Sequence, residues 1–203
     1  DFEQLTENTK LDFVEFHLSS DDLSLNPNDY INKERSQKIG CAVHAPELFP
    51  KDHVLDLASF DDTYRGDSVK YLSLVLESTK QINDLFPLTK KPVLILNAGG
   101  WSENNFIEED TKQKKYELIR DSLDSVSEIA KDINICIQTM PPFPWHLGGQ
   151  RYHNLFVDPN EIKSFCTETG HNICLDISHT SMMCNQFNYD LYEVIDSLAP
   201  ITA

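Results

Sequence analysis

Asp176 and His179 are the residues whose types and spacing could best do chemistry. They close the run Asn172-Ile-Cys-Leu-Asp-Ile-Ser-His179, in which an apolar strand ends in a carboxylate and an imidazole follows three residues later. At a strand end both side chains reach the mouth of a sheet or barrel, where they can take a divalent metal or a polar substrate. The plainer alternative is an Asp that caps a helix beside a surface histidine. Three other apolar runs also end in polar, ligand-type residues: Ala42-Val43-His44, Leu94-Ile95-Leu96-Asn97 and Ile135-Cys136-Ile137-Gln138. This repetition is the signal, because one Asp-x-x-His alone is common.

Other side chains can serve the same mouth. Glu15 and His17 share one side of a strand by its period of two, so Glu15 can meet a substrate hydroxyl or form a structural pair. His44 and Gln138 are substrate contacts or ligands, or else bond only to their neighbours. Trp101, Phe143 and Trp145 follow strands on loops, where aromatics can stack on a ligand or simply cover the opening. Arg151, His146 and His153 lie in a Gly-containing loop, and the Arg151 fork can clamp a phosphate or carboxylate.

These residues need strands to bring them together, and the chain alternates short apolar runs with longer amphipathic ones, the pattern of β/α units on a parallel sheet. Strands are expected at Asp12–Leu18, Gly40–Ala45, Pro92–Asn97, Asn134–Thr139 and His171–Ile177. Helices are expected near Tyr30–Gln37, from Asp67 or Ser68 to Leu85, over Thr111–Lys131, from Asp158 to a Gly170 C-cap, and over Tyr189–Leu198. The loop Pro46–Gly66 is too long for a mere connector and is a candidate active-site lid. Five units in 203 residues keep roughly the pace of a (β/α)8 TIM barrel of about 250 residues or more. A doubly wound sheet is the competing fold, but Asn97-Ala-Gly-Gly100 is a poor match to its Gly-rich phosphate loop.

Composition bounds the function. A 40% apolar and 10% aromatic content fits one globular domain, residues 1–203. Seventeen basic against 33 acidic side chains leave a net charge of −16, which argues against nucleic acid as a partner. Five cysteines without a CxxC favour free thiols in a reducing compartment such as the cytoplasm. No stretch is apolar enough to span a membrane. The chain starts at Asp1 without Met and stops in Pro200-Ile-Thr-Ala203, which reads like the start of another strand, so an excised piece of a longer polypeptide is expected.

The segments Phe13-Val-Glu-Phe-His17, Val43-His-Ala-Pro46, Ile135-Cys-Ile-Gln-Thr-Met-Pro141 and Cys174-Leu-Asp-Ile-Ser-His179 together resemble the xylose-isomerase-like TIM barrels. That superfamily holds sugar and sugar-phosphate isomerases and epimerases and includes endonuclease IV. The likeness covers about the first five to six of eight β/α units. A narrower similarity is to barrel domains appended to sialic-acid-type synthases. The resemblance implies a truncated barrel, a sugar or sugar-phosphate substrate, and a divalent metal (Mn, Zn or Mg) near Asp176, His179 and Gln138. It also implies substrate contacts from Glu15, His17, His44, Asn97, Trp101, Trp145 and Arg151. The family usually has a ligating Glu where this chain has Gln138, and its multi-zinc nucleases have a His where this chain has Asn97. A carboxamide cannot act as a base, so a catalytically silent barrel that binds a sugar or a partner stands beside the isomerase/epimerase, with a nuclease behind both. Six strands would leave two open edges, so instability, dimerisation, or completion by another part of a longer chain is expected.

Overall fold

The computed structural model describes residues 2–87, 91–146 and 148–203; the side chains of Asn8 and His146 lie outside the described set, so the loop role expected of His146 does too. Five short strands, β1 (Phe13–His17), β2 (Gly40–His44), β3 (Val93–Leu96), β4 (Asn134–Gln138) and β5 (Asn172–Cys174), form one sheet. Every pairing is parallel, and the spatial order is the sequence order. A doubly wound sheet reverses its strand order at a switch point, and this one never does. It is the wall of an α/β barrel.

Among the described residues, eight helices accompany the sheet: α1 (Phe2–Asn8), α2 (Lys33–Ser36), α3 (Asp62–Asn83), α4 (Glu109–Ser125), α5 (Ser127–Ala130), α6 (Pro159–Thr169), α7 (Ile177–Phe187) and α8 (Leu191–Leu198). The strands' alternation splits the chemistry between two faces. Val14, Phe16, Val43, Leu94, Leu96, Ile135, Ile137 and Ile173 share a core with Leu72, Val75 and Leu76 of α3, Ile119 and Leu123 of α4, and Ile162 of α6. Val14 and Phe16 are partly buried, and each of the fully buried side chains contributes roughly 1.5–3 kcal/mol. The opposite, inner face carries Glu15, His17, Ala42, His44, Ile95, Cys136, Gln138 and Cys174, aligned by the strand register.

The helices differ from expectation for local reasons. α3 begins six or seven residues early because Asp61, not Asp67 or Ser68, caps it, accepting from the backbone N–H groups of Thr63 and Tyr64. The expected lid is an anchored segment. Leu48–Phe49 pairs with His53–Val54, Leu57 and Ala58 are fully buried, and Leu57 N–H donates to Ala98 O at 3.0 Å. The helix expected over Thr111–Lys131 breaks at Val126, whose N–H bonds back three residues to Leu123 O. β5 stops at Cys174, and Ile177, expected in the strand, opens α7, the helix that the capping alternative for Asp176 requires. α1 is also new: Phe2 packs against Phe16 and Phe86, while Arg35 ties the helix down through Glu3 O and the Glu7 carboxylate. α6 starts after Asp158 and ends at left-handed Gly170 as expected. Thr202 adds one parallel bridge to Ile173.

All five cysteines are unpaired, and among the described residues no helix is long and apolar enough to cross a membrane.

Candidate functional site

The carboxyl ends of β1, β2, β4 and β5 set a polar row across the inner face. His17 meets Glu15 through Nε2 and stacks on the His44 ring, with centroids 4.6 Å apart and planes 10° from parallel. His44 Nε2 lies 3.1 Å from Gln138 Oε1, and Gln138 Nε2 donates to Asp176 Oδ2 at 3.0 Å. His179 Nδ1 donates to Thr139 O at 2.8 Å and lies 3.5 Å from Asp176 Oδ2. Six of the residues singled out from sequence thus meet in one continuous row, though they come from segments more than 160 positions apart.

Asp176 is both helix cap and row member, so the two readings of it are joined. Its Oδ1 accepts from His179 N–H at 2.9 Å and from Ser178 Oγ at 2.7 Å. Burial acts to raise its carboxyl, but the His179 and Ser178 hydrogen bonds and the nearby His179 ring outweigh this and hold it below the usual carboxylate range. Thr139 supports the arrangement from the end of β4: its Oγ1 accepts from Asp176 N–H at 2.9 Å.

The row's polarity follows from its ends. Asp176, a carboxylate, takes the Gln138 N–H, so Gln138 turns its oxygen to His44 Nε2. His44 Nδ1 already donates to Ala45 O at 2.9 Å. Turning the Gln138 amide over would set its oxygen against the carboxylate.

The other residues lie elsewhere. Asn97 donates from Nδ2 to Glu47 and stands with Trp101 in a separate corner at the end of β3. Trp145 is 73% exposed on a short hairpin. Arg151 donates to Gln150 O at 3.1 Å and approaches Glu103 only to 3.9 Å. Phe143 packs with Phe106 and Tyr152, as cover for the loops. His153 is buried, its Nδ1 3.2 Å from Leu155 O. The sequence reading missed Glu47, Thr139 and Ser178; only the last two carried a signal, as polar residues adjoining Gln138 and Asp176.

As a metal site the donor set falls short. Asp176 is the carboxylate that Gln138 and His179 meet directly, and both its oxygens already accept hydrogen bonds. Gln138 offers it an N–H donor rather than a negative charge. Among the described residues no three His, Cys, Asp or Glu side chains are grouped to hold an ion. Burial pushes the inner-face thiols up, Cys136 to about 12 and Cys174 to about 11, so neither is a ready thiolate.

A parallel barrel wall with polar strand ends converging on its inner face is the architecture of a TIM barrel. Residues 4–200 match the xylose isomerase-like TIM barrel family, and the chain belongs to it. Among solved structures, a D-tagatose 3-epimerase-like protein superposes with a TM-score of 0.66 at 20% identity, over 98% of this chain and 67% of its own. D-psicose 3-epimerase, solved in the presence of D-fructose, gives 0.65 at 14% identity, over 100% of this chain and 64% of its own. Endonuclease IV from Thermus thermophilus gives 0.54 at 13% identity, over 94% of this chain and 71% of its own. The chain thus spans about two thirds of these structures' length, and at such identities the likeness shows the fold. No curated protein matches the sequence.

Proposed function

We propose that the inner-face row binds a small sugar or sugar phosphate within an isomerase/epimerase-like barrel, and that β4 contributes recognition rather than proton transfer. The observation that carries this is Gln138, an amide hydrogen-bonded on one side to His44 and on the other to Asp176. Moving a proton beside a carbonyl needs a group that can take and return it, and a carboxamide does neither. Sugar hydroxyls both give and accept hydrogen bonds, and the row offers them imidazole, amide and carboxylate groups side by side. The names of the epimerase structures point to the same substrate class.

A divalent-metal-dependent isomerase or epimerase is the second reading. It is favoured by His179, whose Nδ1 is held by Thr139 O, which leaves the Nε2 lone pair for a ligand. Phosphodiester hydrolysis is disfavoured by the net charge of −16.

Calorimetric titration with D-fructose and D-fructose 6-phosphate, with and without Mn²⁺ or Zn²⁺, separates these. Sugar binding indifferent to metal, with metal affinity appearing only in Gln138→Glu, is the expected result. Metal-dependent binding in the wild type that disappears in Asp176→Ala would establish the second reading instead.

A further inference from the structure

Beyond the row, the end of β3 holds two buried polar atoms with no hydrogen-bond partner among the described residues, Asn97 Oδ1 and Trp101 Nε1. Both side chains line the same small cavity, walled by Glu47, Val54, Leu55 and Met140, with a volume of about 10 Å³. That is room for roughly one water-sized group. Buried polar atoms in folded proteins are nearly always paired, so an unpaired acceptor and an unpaired donor on two side chains that line one cavity mark a place where another molecule completes the bonding.

The chemistry of the missing group is constrained. Asn97 Nδ2 donates to Glu47, so the amide cannot turn over without setting its oxygen against a carboxylate. Asn97 therefore presents an acceptor. Trp101 Nε1 is a donor only. The turn between them is rigid: Gly99 and Gly100 have φ of 89° and 92°, Asp56 Oδ1 accepts from Gly100 N–H at 3.0 Å, and Trp101 pairs with His153 in an antiparallel ribbon.

We propose that Asn97 and Trp101 form a subsite for one neutral hydroxyl of a polyol ligand, which donates to Asn97 Oδ1 and accepts from Trp101 Nε1. This presupposes the sugar-binding face described above and adds a specificity to it. An ammonium group has no acceptor for Trp101. A phosphate or carboxylate has no proton for Asn97 and meets the Glu47 charge, so the charged end of a sugar phosphate is kept out of this corner.

Two readouts on the intact chain test the subsite. The first is the Trp101 indole N–H resonance, assigned against Trp145→Phe and followed during titration with D-fructose and separately with glycerol. The second is D-fructose affinity by calorimetry in wild type, Trp101→Phe and Asn97→Leu. The indole resonance is expected to shift with both polyols, and each variant to weaken D-fructose about tenfold. If a variant fails to fold, the wild-type resonance still decides. D-fructose binding that leaves the indole unmoved and both variants unaffected overturns the subsite while the sugar-binding face stands. No D-fructose binding, with a glycerol shift of the indole, upholds the subsite and removes the larger proposal. No response to either polyol means that the cavity takes water only, and both fail.

Discussion

Replacing Asp176 separates its two roles by size of effect. In Asp176→Ala, α7 loses the cap on His179 N–H, a change that typically costs about 1 kcal/mol. The Gln138 N–H, 3.0 Å from Oδ2 in the wild type, also loses its acceptor in a half-buried setting, for roughly another 1 kcal/mol. The sum of about 2 kcal/mol corresponds to a Tm lowered by about 4–8 °C in a chain of this size. Asp176→Asn keeps a side-chain oxygen for the cap, and the Gln138 amide can turn over to accept from the new amide while donating to His44 Nε2. Its expected cost is under about 1 kcal/mol. Urea melts read by circular dichroism measure both. An Ala variant within about 0.5 kcal/mol of wild type, or an Asn variant as damaged as Ala, would refute the reasoning that joins cap and row.

Three further outcomes follow from the same geometry. The folded Asp176 carboxyl lies below its unfolded value of about 3.9, so its contribution is fully present above that pH and disappears as pH falls through the folded value. The stability gap between wild type and Asp176→Asn is therefore expected to hold from neutrality to about pH 5 and to shrink toward pH 3; a gap unchanged at pH 3 would contradict this. A Cβ at Gly99 would meet Asp56 Cα at 2.5 Å and Asp56 Oδ1 closer still, at a φ of 89°, so Gly99→Ala is expected to destabilise by about 3 kcal/mol, read as a lowered Tm. With burial pushing Cys136 to about 12 and Cys174 to about 11, neither thiol is expected to react with iodoacetamide in the native state at pH 8; mass spectrometry of the labelled chain checks it.

What was legible in the sequence is what periodicity and local capping dictate. A period of two in Phe13–His17 places Glu15 and His17 together, and short apolar runs such as Leu94–Leu96, alternating with longer amphipathic ones, read as buried strands. Asp158 and Gly170 bracket α6 by chemistry that acts within a few residues. The elements that were missed depend on distant partners. α1 gains its place from Phe16 and Phe86, and the supposed lid from Gly100 and Ala98, contacts that no local pattern encodes.

The same division holds at the site. Residue type and strand-end position were enough to mark His44, Gln138, Asp176 and His179, because parallel register converts similar positions in separate strands into neighbours. Only the tertiary structure decided that Gln138 bridges His44 to Asp176, that Asp176 already spends its oxygens on a helix cap and an amide, and that Asn97 leaves the row to pair with Glu47. Hydrogen-bond direction depends on which atoms face one another across the sheet, and that is fixed by packing over the whole wall rather than by any segment of the chain.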